Sequence, residues 1–318
     1  MARLLLANPI VASQVWLIAN PLAGRKAGFT LNPVTPDDAR RALERVGLRP
    51  ELRVTERPGH ATLLARQAVA AGADTVVAAG GDGTIHEVAR GLVGRDVRLG
   101  LLPLGSMLNL PRSLGVPREI DAAAALLRDG RTVGMDVGLA TTARDQTYFF
   151  EAAGIGFDAA LFAYADQIDR GRWRYLGPML RAFLRYQPRR ARLVVDDRGF
   201  TVPYTLMVHV ALSPYTGLRL NVAPDARVDD RQFDLVIRRA TDRADVVRHM
   251  ATLMLGPSRY RARTGTLRAR CVEIHHGRRP MPVHADGEVI GRTPVELRIL
   301  PAAIPVIAGP EAAARAAA

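Results

Sequence analysis

The chain has 318 residues, enough for two domains that each bury a core of their own. Apolar residues make up 48% and charged residues 24% of the chain, an ordinary globular composition. The net charge of +13 comes almost wholly from arginine, since Lys26 is the single lysine, and it favours an anionic partner. The lack of an apolar run of about 18 residues predicts no transmembrane helix. The single cysteine, Cys271, excludes an internal disulfide and fits a reducing cytoplasm.

The first part of the chain alternates short apolar runs, typical of buried strands, with amphipathic stretches typical of helices. One helix start is clear, because Thr35 has the pattern of a cap and is followed by Pro36 and two acids. The predicted strands lie at 15–19, 52–54, 75–79 and 99–104, and the predicted helices at 36–46, 61–71, 84–92 and 120–127. This alternation predicts an α/β domain with a mainly parallel sheet and helices on both faces.

After about Met135 the pattern changes to short strand-like runs that turn residues separate. These runs lie at 148–153, 191–196, 204–212, 233–238, 272–275 and 295–299, and helical stretches at 158–186 and 243–255 interrupt them. The pattern predicts a second domain that is mostly antiparallel.

A glycine-rich loop, Gly80-Gly81-Asp82-Gly83-Thr84, lies between a predicted strand and a predicted helix. Glycines let backbone amides approach a polyphosphate, and the helix N-terminus adds unpaired N–H groups. Asp82 would repel phosphate unless it meets a metal ion or a substrate hydroxyl, which favours a functional loop. The alternative is an ordinary strand-to-helix turn with Asp82 as its cap. No Walker A string occurs, so backbone amides, arginine and a divalent metal would have to meet the phosphate charge.

Six segments, in order, resemble the catalytic domain of the diacylglycerol, sphingosine and ceramide kinase family. They are Asn20-Pro21-Leu22-Ala23-Gly24, the glycine loop with Glu87-Val88, Pro103-Leu104-Gly105-Ser106, Gly154-Ile155-Gly156-Phe157-Asp158, Ala223-Pro224-Asp225-Ala226 with Asp229-Asp230, and Asp286-Gly287-Glu288 with Gly291-Arg292-Thr293-Pro294. The resemblance extends from about Leu17 to Ile307. NAD kinases share the Gly-Gly-Asp-Gly loop, but the segments after residue 150 argue against that alternative.

The resemblance implies a fold of two domains with ATP and substrate in the cleft between them. The first would be an α/β domain of the NAD kinase/diacylglycerol kinase type over residues 14–138, completed by a C-terminal segment at about 301–312. The second would be a mostly antiparallel β-sandwich over residues 139–300 that receives the lipid substrate.

The same resemblance implies the residues of the site. Those expected to bind the nucleotide are Asn20, Pro21, Gly80, Gly81, Asp82, Gly83, Thr84, Gly105, Ser106 and Arg112. Those expected to hold Mg²⁺ are Asp82, Asp229 and Asp230. Catalysis is expected from Asp82 and from Glu288, the general base on the acceptor hydroxyl, with Asp286 beside it. Phosphoryl transfer needs in-line positioning, charge neutralisation by metal and an acceptor for the hydroxyl proton, and this set supplies all three.

The third loop departs from the family's pattern of Gly-Thr-x-Asn-Asp-Phe-x-Arg. Leu108 stands where the family has Asn, and Asn109 where it has Asp. In bacterial diacylglycerol kinases that Asp belongs to a charged network with the glycine-loop Asp, here Asp82. Arg112 and Asp136 are expected to retain the rest of this network. The change leaves the identity of the acceptor lipid open.

Two further features carry less information. Arg231 follows Asp229-Asp230, where the family has the Gly of a structural magnesium site. The histidines at 86, 275, 276 and 284 match no zinc spacing and are interpreted as structural or solvated.

A basic stretch at 170–192 combines eight arginines with apolar and aromatic residues that include Trp173. A second basic run lies at 259–270. Such stretches are typical of a helix on anionic lipid, and the alternative is a helix packed on the second domain with a solvated arginine face. The sequence has no nucleic-acid-binding string. It therefore predicts a lipid substrate and an anionic membrane surface as partners, no nucleic acid, and a cytoplasmic protein held peripherally at the inner face of the membrane. A homodimer is compatible with the sequence.

The predicted function is an ATP-dependent lipid kinase, a transferase of phospholipid metabolism. It would convert diacylglycerol to phosphatidic acid, or a sphingolipid such as ceramide to its 1-phosphate, with ATP and Mg²⁺. The alternatives are an enzyme of the NAD kinase type and a catalytically weak regulator that binds lipid or nucleotide.

Overall fold

The computed structural model of the chain describes residues 14–26, 29–30, 33–105, 107–169, 171–216, 220–240, 244–245 and 264–316. The strands are β1 (Val15–Ala19), β2 (Arg25–Lys26), β3 (Phe29–Thr30), β4 (Pro50–Val54), β5 (Thr75–Gly80), β6 (Arg98–Pro103), β7 (Arg131–Thr142), β8 (Gln146–Phe149), β9 (Ala152–Gly156), β10 (Arg189–Val195), β11 (Arg198–Ala211), β12 (Tyr215–Thr216), β13 (Leu220–Asn221), β14 (Phe233–Arg239), β15 (Thr264–Ala269), β16 (Cys271–His276), β17 (Pro282–Ala285), β18 (Glu288–Arg292) and β19 (Val295–Ala308). The helices are α1 (Pro36–Arg45), α2 (His60–Ala70), α3 (Asp82–Leu92), α4 (Asn109–Ser113), α5 (Ile120–Asp129), α6 (Phe157–Asp169), α7 (Leu176–Arg185) and α8 (Pro310–Ala316), with a 3-10 turn at Trp173–Tyr175.

Parallel pairings build the sheet of the first domain in the order β4-β1-β5-β6-β19. Strands β1 and β5 are buried along their whole length, as expected of parallel strands that helices cover. Helix α2 packs on α3, and α1 on α5. The strands and helices predicted for this part are confirmed, with ends that agree within two residues.

Two helix starts show how local chemistry fixes this domain. Thr35 and Asp38 form a capping box at the start of α1, as the sequence pattern predicts. Helix α2 begins after Gly59, which has no side chain to cap it. The carboxylate of Glu87 on α3 takes that role, because it accepts the N–H groups of Gly59 at 2.8 Å and Ala61 at 3.1 Å. The family-like residue Glu87 therefore ties α2 to the helix of the glycine loop.

The described strands of the second domain pair antiparallel, which confirms the predicted class. Strands β9, β11, β10 and β16 lie side by side, with β17 on β9 and β14 on β11. Their buried side chains form a separate core, in which the rings of Phe149 and Phe233 stack at 5.6 Å. The strand predicted at 148–153 is two strands, β8 and β9, because the chain bends at Phe150 and Glu151.

Several predictions for this half need correction. The helix predicted at 158–186 is two helices, α6 and α7, because Gly171 adopts a left-handed conformation with φ of 80° between them. Strands β7, β12, β13, β15, β17 and β18, and helix α4 of the first domain, were not predicted. The helix predicted at 243–255 lies outside the described residues apart from 244–245.

Strand β19 runs through both domains. It pairs with β16 from Val295 to Arg298, with β7 on either side of a bulge between Leu300 and Ile304, and with β6 through Val306. The last strand-like run thus returns to the first domain, as the resemblance implies. Within the described part of the chain, none of the helices combines the length and the apolar character that a membrane span requires.

Candidate active site

The glycine loop lies at the carboxyl end of β5, the edge of a parallel sheet where ligands bind. Helix α3 starts at Asp82, and its N-cap residue, Gly81, provides no side-chain cap. The first N–H groups of α3 therefore lack a capping side chain, and they lie beside the positive end of the helix dipole. This is the arrangement that binds phosphate.

Three loops converge at this point. The side-chain amide of Asn20, at the end of β1, donates to Thr84 Oγ1 at 3.0 Å, and the N–H of Leu22 donates back to Asn20 Oδ1 at 2.9 Å. A Cβ added to Gly105 would lie 2.5 Å from the Cα of Gly81, so the third loop touches the glycine loop backbone to backbone. The predicted nucleotide residues on these loops thus lie together. Ser106, also predicted, lies outside the described residues.

One carboxylate oxygen of Asp82 accepts a hydrogen bond from the protein, and the other does not. Its Oδ2 accepts the N–H of Leu108 at 2.7 Å, whereas its Oδ1 is buried and has no protein hydrogen-bond partner. Mg²⁺ in nucleotide sites is bound by one or two carboxylates together with substrate phosphates, so the vacant oxygen of Asp82 fits a metal carried in with ATP. Leu108 makes its hydrogen bond from a left-handed backbone, with φ of 57°. Asn adopts that conformation at lower cost than Leu, which gives a physical reason for the Asn of the family pattern.

A buried polar cluster lies directly behind Asp82. The amide of Asn109 donates to Glu151 Oε2 at 3.0 Å, and Glu151 Oε1 lies 3.3 Å from His86 Nε2. His86 Nδ1 lies 3.7 Å from Asp286 Oδ2. The Asn that replaces an expected Asp thus provides a donor to a carboxylate, where an Asp would have added another buried negative charge.

The charges of this cluster perturb each other. Burial by itself would lower the pKa of His86, but the neighbouring charges of Asp286 and Glu151 outweigh it and raise the pKa to about 9. Burial also raises the pKa of Glu151, and the opposite charge of His86 limits the rise. His86 is therefore an imidazolium at neutral pH. From the sequence, only a structural or solvated role is predicted for His86, and Glu151 is missed, although an acid inside the apolar run at 148–153 is a signal for it.

Asp286 and Glu288 have different environments. The side chain of Asp286 is 1% exposed, and its oxygens accept the N–H groups of Phe150 at 2.8 Å, Glu151 at 2.9 Å and Ala152 at 3.1 Å. With its lone pairs so engaged, Asp286 is suited to hold the turn rather than to accept a proton. Glu288 is 68% exposed and pairs with Arg90 of α3 at 3.2 Å.

The turn at Asp286 and Gly287 also contacts the buried side chain of His284, which in turn lies near Asp158. The N–H of Gly287 donates to Nδ1 of the buried His284 at 3.3 Å, and His284 Nε2 lies 3.5 Å from Asp158. Burial by itself would raise the pKa of Asp158, but the polar contacts of its carboxylate with His209 at 3.7 Å and His284 at 3.5 Å outweigh it and hold that pKa well below its usual range. This buried polar cluster joins the turn to α6, β11 and β17 of the second domain.

The remaining predicted residues have other partners. Arg112 lies on α4 with its guanidinium 4.0 Å above the ring of Tyr215. Asp136 accepts the N–H groups of Arg231 at 2.5 Å and Ala302 at 2.8 Å. The structure therefore places neither Arg112 nor Asp136 in a charged network with Asp82, because each is engaged elsewhere.

The predicted second metal site does not fit the structure well. Asp229 pairs with Arg227 at 3.1 Å, and Asp230 pairs closely with Arg268. An arginine on each carboxylate neutralises the charge that a cation would need. Among the described residues, no three His, Cys, Asp or Glu side chains are arranged to hold a metal ion. A metal ion at Asp229 and Asp230 therefore has no part in the reaction proposed below.

Two protein-family profiles together match most of the chain. The diacylglycerol kinase catalytic domain matches residues 14–140, and the YegS C-terminal NAD kinase beta sandwich-like domain matches residues 152–308. The chain belongs to the diacylglycerol kinase catalytic-domain family. It is an ATP-dependent lipid kinase, and the match after residue 150 supports the predicted β-sandwich in the second domain.

Similar proteins extend over most of this length. A diacylglycerol kinase of Mycobacterium tuberculosis is 29% identical over 244 residues, which cover 76% of this chain and 78% of that protein. A diacylglycerol kinase of Bacillus subtilis is 29% identical over 259 residues, 80% of this chain and 84% of that protein. A solved structure of a diacylglycerol kinase from Bacillus anthracis superposes with a TM-score of 0.71 at 20% identity, covering 94% and 98% of the two chains, and supports the fold.

Proposed function

We propose that this lipid kinase transfers the γ-phosphoryl group of Mg²⁺-bound ATP to the hydroxyl of diacylglycerol, which gives phosphatidic acid and ADP. The observation that carries the proposal is the unpaired, buried Oδ1 of Asp82 in the first turn of α3, the helix whose later residue Arg90 contacts Glu288. The similar proteins named diacylglycerol kinase favour this acceptor over a sphingolipid. Residues 14–138 and 301–312 would bind the nucleotide, and residues 139–300 the lipid.

The roles in this proposal follow from the contacts. The N–H groups at the start of α3 bind the phosphates, and Asn20 with Thr84 fixes the loop that borders them. Mg²⁺, held by Asp82 and the phosphates, would neutralise charge as the γ-phosphoryl group leaves. Glu288 takes the proton of the acceptor hydroxyl while that oxygen forms the new bond to phosphorus. Its exposed side chain has room to rotate from Arg90 to the acceptor.

A radiolabelled ATP assay tests this function with diacylglycerol, ceramide, sphingosine, a prenol and NAD as acceptors. We expect label in phosphatidic acid, lost about 100-fold or more in Asp82→Asn and in Glu288→Gln. Asp145→Asn, at an exposed turn just before β8, is the matched control and should keep full activity. Label only in ceramide 1-phosphate would replace the acceptor, and label only in NADP would overturn the proposal. ATP binding without turnover of any acceptor would favour the regulator.

We further propose that α7 docks the enzyme on an anionic membrane at the cytoplasmic face. Phe183 faces inward, with its ring 5.8 Å from that of Phe157. Beside Phe183, along the same side of α7 and in the 3-10 turn before it, large apolar side chains are exposed at helical spacing, Trp173 by 67%, Leu176 by 50%, Leu180 by 55% and Leu184 by 56%. Exposed arginines flank them at 172, 174, 181 and 185. An apolar stripe bordered by cations is the pattern of a helix in the lipid interface. Of the other arginines in the two predicted basic runs, those at 170, 259, 261 and 263 lie outside the described residues, whereas those at 189, 190 and 192 lie on β10 and Arg268 lies on β15.

Cosedimentation with phosphatidylcholine vesicles, with and without phosphatidylglycerol, tests the membrane proposal. We expect binding that requires phosphatidylglycerol and weakens as salt is added. Leu180→Glu should abolish binding, while Leu63→Glu, at an exposed leucine on α2, should not. Equal binding to neutral vesicles, or unchanged binding by Leu180→Glu, would contradict it. Sedimentation without vesicles would also test whether the chain forms the homodimer with which its sequence is compatible.

A further inference from the structure

Helix α3 carries two cations one helical turn apart on the side that faces the second domain. His86 Nδ1 lies 3.7 Å from Asp286 Oδ2, and Arg90 Nη2 lies 3.2 Å from Glu288 Oε2. Positions four apart in a helix project on one face. The helix that begins at the phosphate site thus contacts both acids of the turn that presents the proposed base.

The two contacts differ in strength. The Arg90 contact is to an exposed carboxylate, and exposed ion pairs contribute little. The His86 contacts are buried, since its side chain is 8% exposed and those of Glu151 and Asp286 are 5% and 1% exposed. Buried charges require a partner of opposite sign, and His86 lies between these two carboxylates. The buried bridge is therefore the contact able to set the position of the turn.

The groups around His86 come from several elements. Asp82 lies in the first turn of the same helix, Glu151 lies between β8 and β9, and Asp286 lies between β17 and β18. The ring of Phe150 covers the imidazole at a centroid distance of 5.4 Å. Three acids and an apolar ring thus surround one imidazole, which favours its charged form.

Asp286, which His86 contacts, is close in the chain to the proposed base, Glu288, and is held by backbone hydrogen bonds. Asp286 is fixed by backbone N–H groups of residues 150–152, and Glu288 follows it by two residues. At a rise of about 1.5 Å per residue, His86 lies about 6 Å along the helix axis from Asp82. A fixed contact from His86 to Asp286 therefore fixes the distance between the phosphate site and the turn of Glu288.

We propose that His86, as an imidazolium between Glu151 and Asp286, is a positioning residue that couples the nucleotide helix to the turn of the catalytic base. His86 touches neither substrate in this role and acts through Asp286. The proposal rests on the proposed function of Glu288. It assigns no proton transfer to His86.

The test compares His86→Gln, which keeps hydrogen-bonding capacity without charge, with His275→Gln, at a half-exposed histidine of β16. We expect His86→Gln to lower kcat about 100-fold and to leave the KM for ATP within about twofold, since misplacement by about 1 Å has such effects. The wild-type kcat should fall at alkaline pH as His86 loses its charge between Glu151 and Asp286, and His86→Gln should lack that limb. His275→Gln should match the wild type in each measurement.

A second variant separates positioning from folding. His86→Gln combined with Glu151→Gln removes both members of the buried pair, and we expect it to recover thermal stability but not kcat. Recovery of kcat together with stability would mean that His86 is only structural, and wild-type kcat in His86→Gln would overturn the inference outright.

Amide hydrogen exchange gives a readout that does not depend on the acceptor. The N–H groups of residues 150–152 donate to Asp286, and we expect them to exchange faster in His86→Gln than in His275→Gln. Equal exchange would contradict the coupling. Normal activity in Glu288→Gln would instead remove the proposed base and leave the exchange result standing, so the two failures are distinguishable.

Discussion

The contact between the glycine loop and the third loop gives a sharp prediction, because it is asymmetric. A Cβ on Gly105 would lie 2.5 Å from the Cα of Gly81, whereas a Cβ on Gly81 would come no closer than 3.5 Å to Gly105. Neither glycine has a left-handed backbone, so alanine is allowed conformationally at both. The substitution Gly105→Ala should therefore disturb the protein, and Gly81→Ala should leave its stability intact.

The magnitude follows from the overlap. Ordinary contact begins near 3.4 Å, so the two backbones must separate by about 1 Å to accept the methyl group. Overpacking of this kind costs about 1–3 kcal/mol. Both variants also gain about 0.4–1 kcal/mol from a less flexible unfolded chain, and at Gly81, the N-cap of α3, alanine loses a similar amount as a poorer cap. For a domain of this size, the difference corresponds to a loss of about 2–10 °C in Tm.

Thermal unfolding without nucleotide, monitored by circular dichroism, provides the measurement. We expect Gly105→Ala to melt several degrees below both the wild type and Gly81→Ala. The displacement of the third loop in Gly105→Ala should also move the N–H of Leu108 away from Asp82 and raise the KM for ATP. Equal melting temperatures for the two variants would show that the loops do not touch as described.

Three other predictions concern the first domain. Glu87→Ala should lower the free energy of unfolding by about 1–2 kcal/mol, because α2 loses its cap, and urea unfolding measures this. Thr84→Val should raise the KM for ATP several-fold in steady-state kinetics, since Asn20 loses its hydrogen-bond partner. The charge of His86 should stabilise the fold fully below its unfolded pKa of 6.5, and this contribution should disappear as pH rises through about 9. The difference in unfolding free energy between wild type and His86→Gln should therefore shrink from pH 7 to pH 10, and a constant difference would contradict the assigned charge.

The first domain could be predicted almost completely, and the reason is physical. Buried parallel strands such as β1 and β5 are continuous apolar runs, and the helices between them carry caps and a clear apolar face. Strand β7 lacks such a run, but its apolar residues alternate at Val133, Met135, Val137 and Leu139, which is the pattern of a half-buried strand and was overlooked. The antiparallel class of the second domain was predicted correctly, but the ends of its strands and helices were predicted less well.

The residues of the candidate site likewise fall into those that could be predicted from the sequence and those that could not. Gly105 of the third loop could be identified because its close approach to Gly81 leaves no room for a side chain, and this requirement determines its residue type. The buried bridge of His86, Glu151 and Asp286 joins three distant segments, and no local pattern predicts which acid meets which histidine. The engagement of Arg112 with Tyr215 and of Asp136 with backbone N–H groups could not be predicted for the same reason.

Strand β19 has a consequence for synthesis on the ribosome. It pairs with β6 through Val306 and Leu99, residues about 200 positions apart, and non-local pairing of this kind is slow to form. The first domain therefore stays without its last parallel strand, with β6 as an open edge, until residue 306 has emerged. The sheet that carries the phosphate loop is completed only after the strands of the second domain have been synthesised.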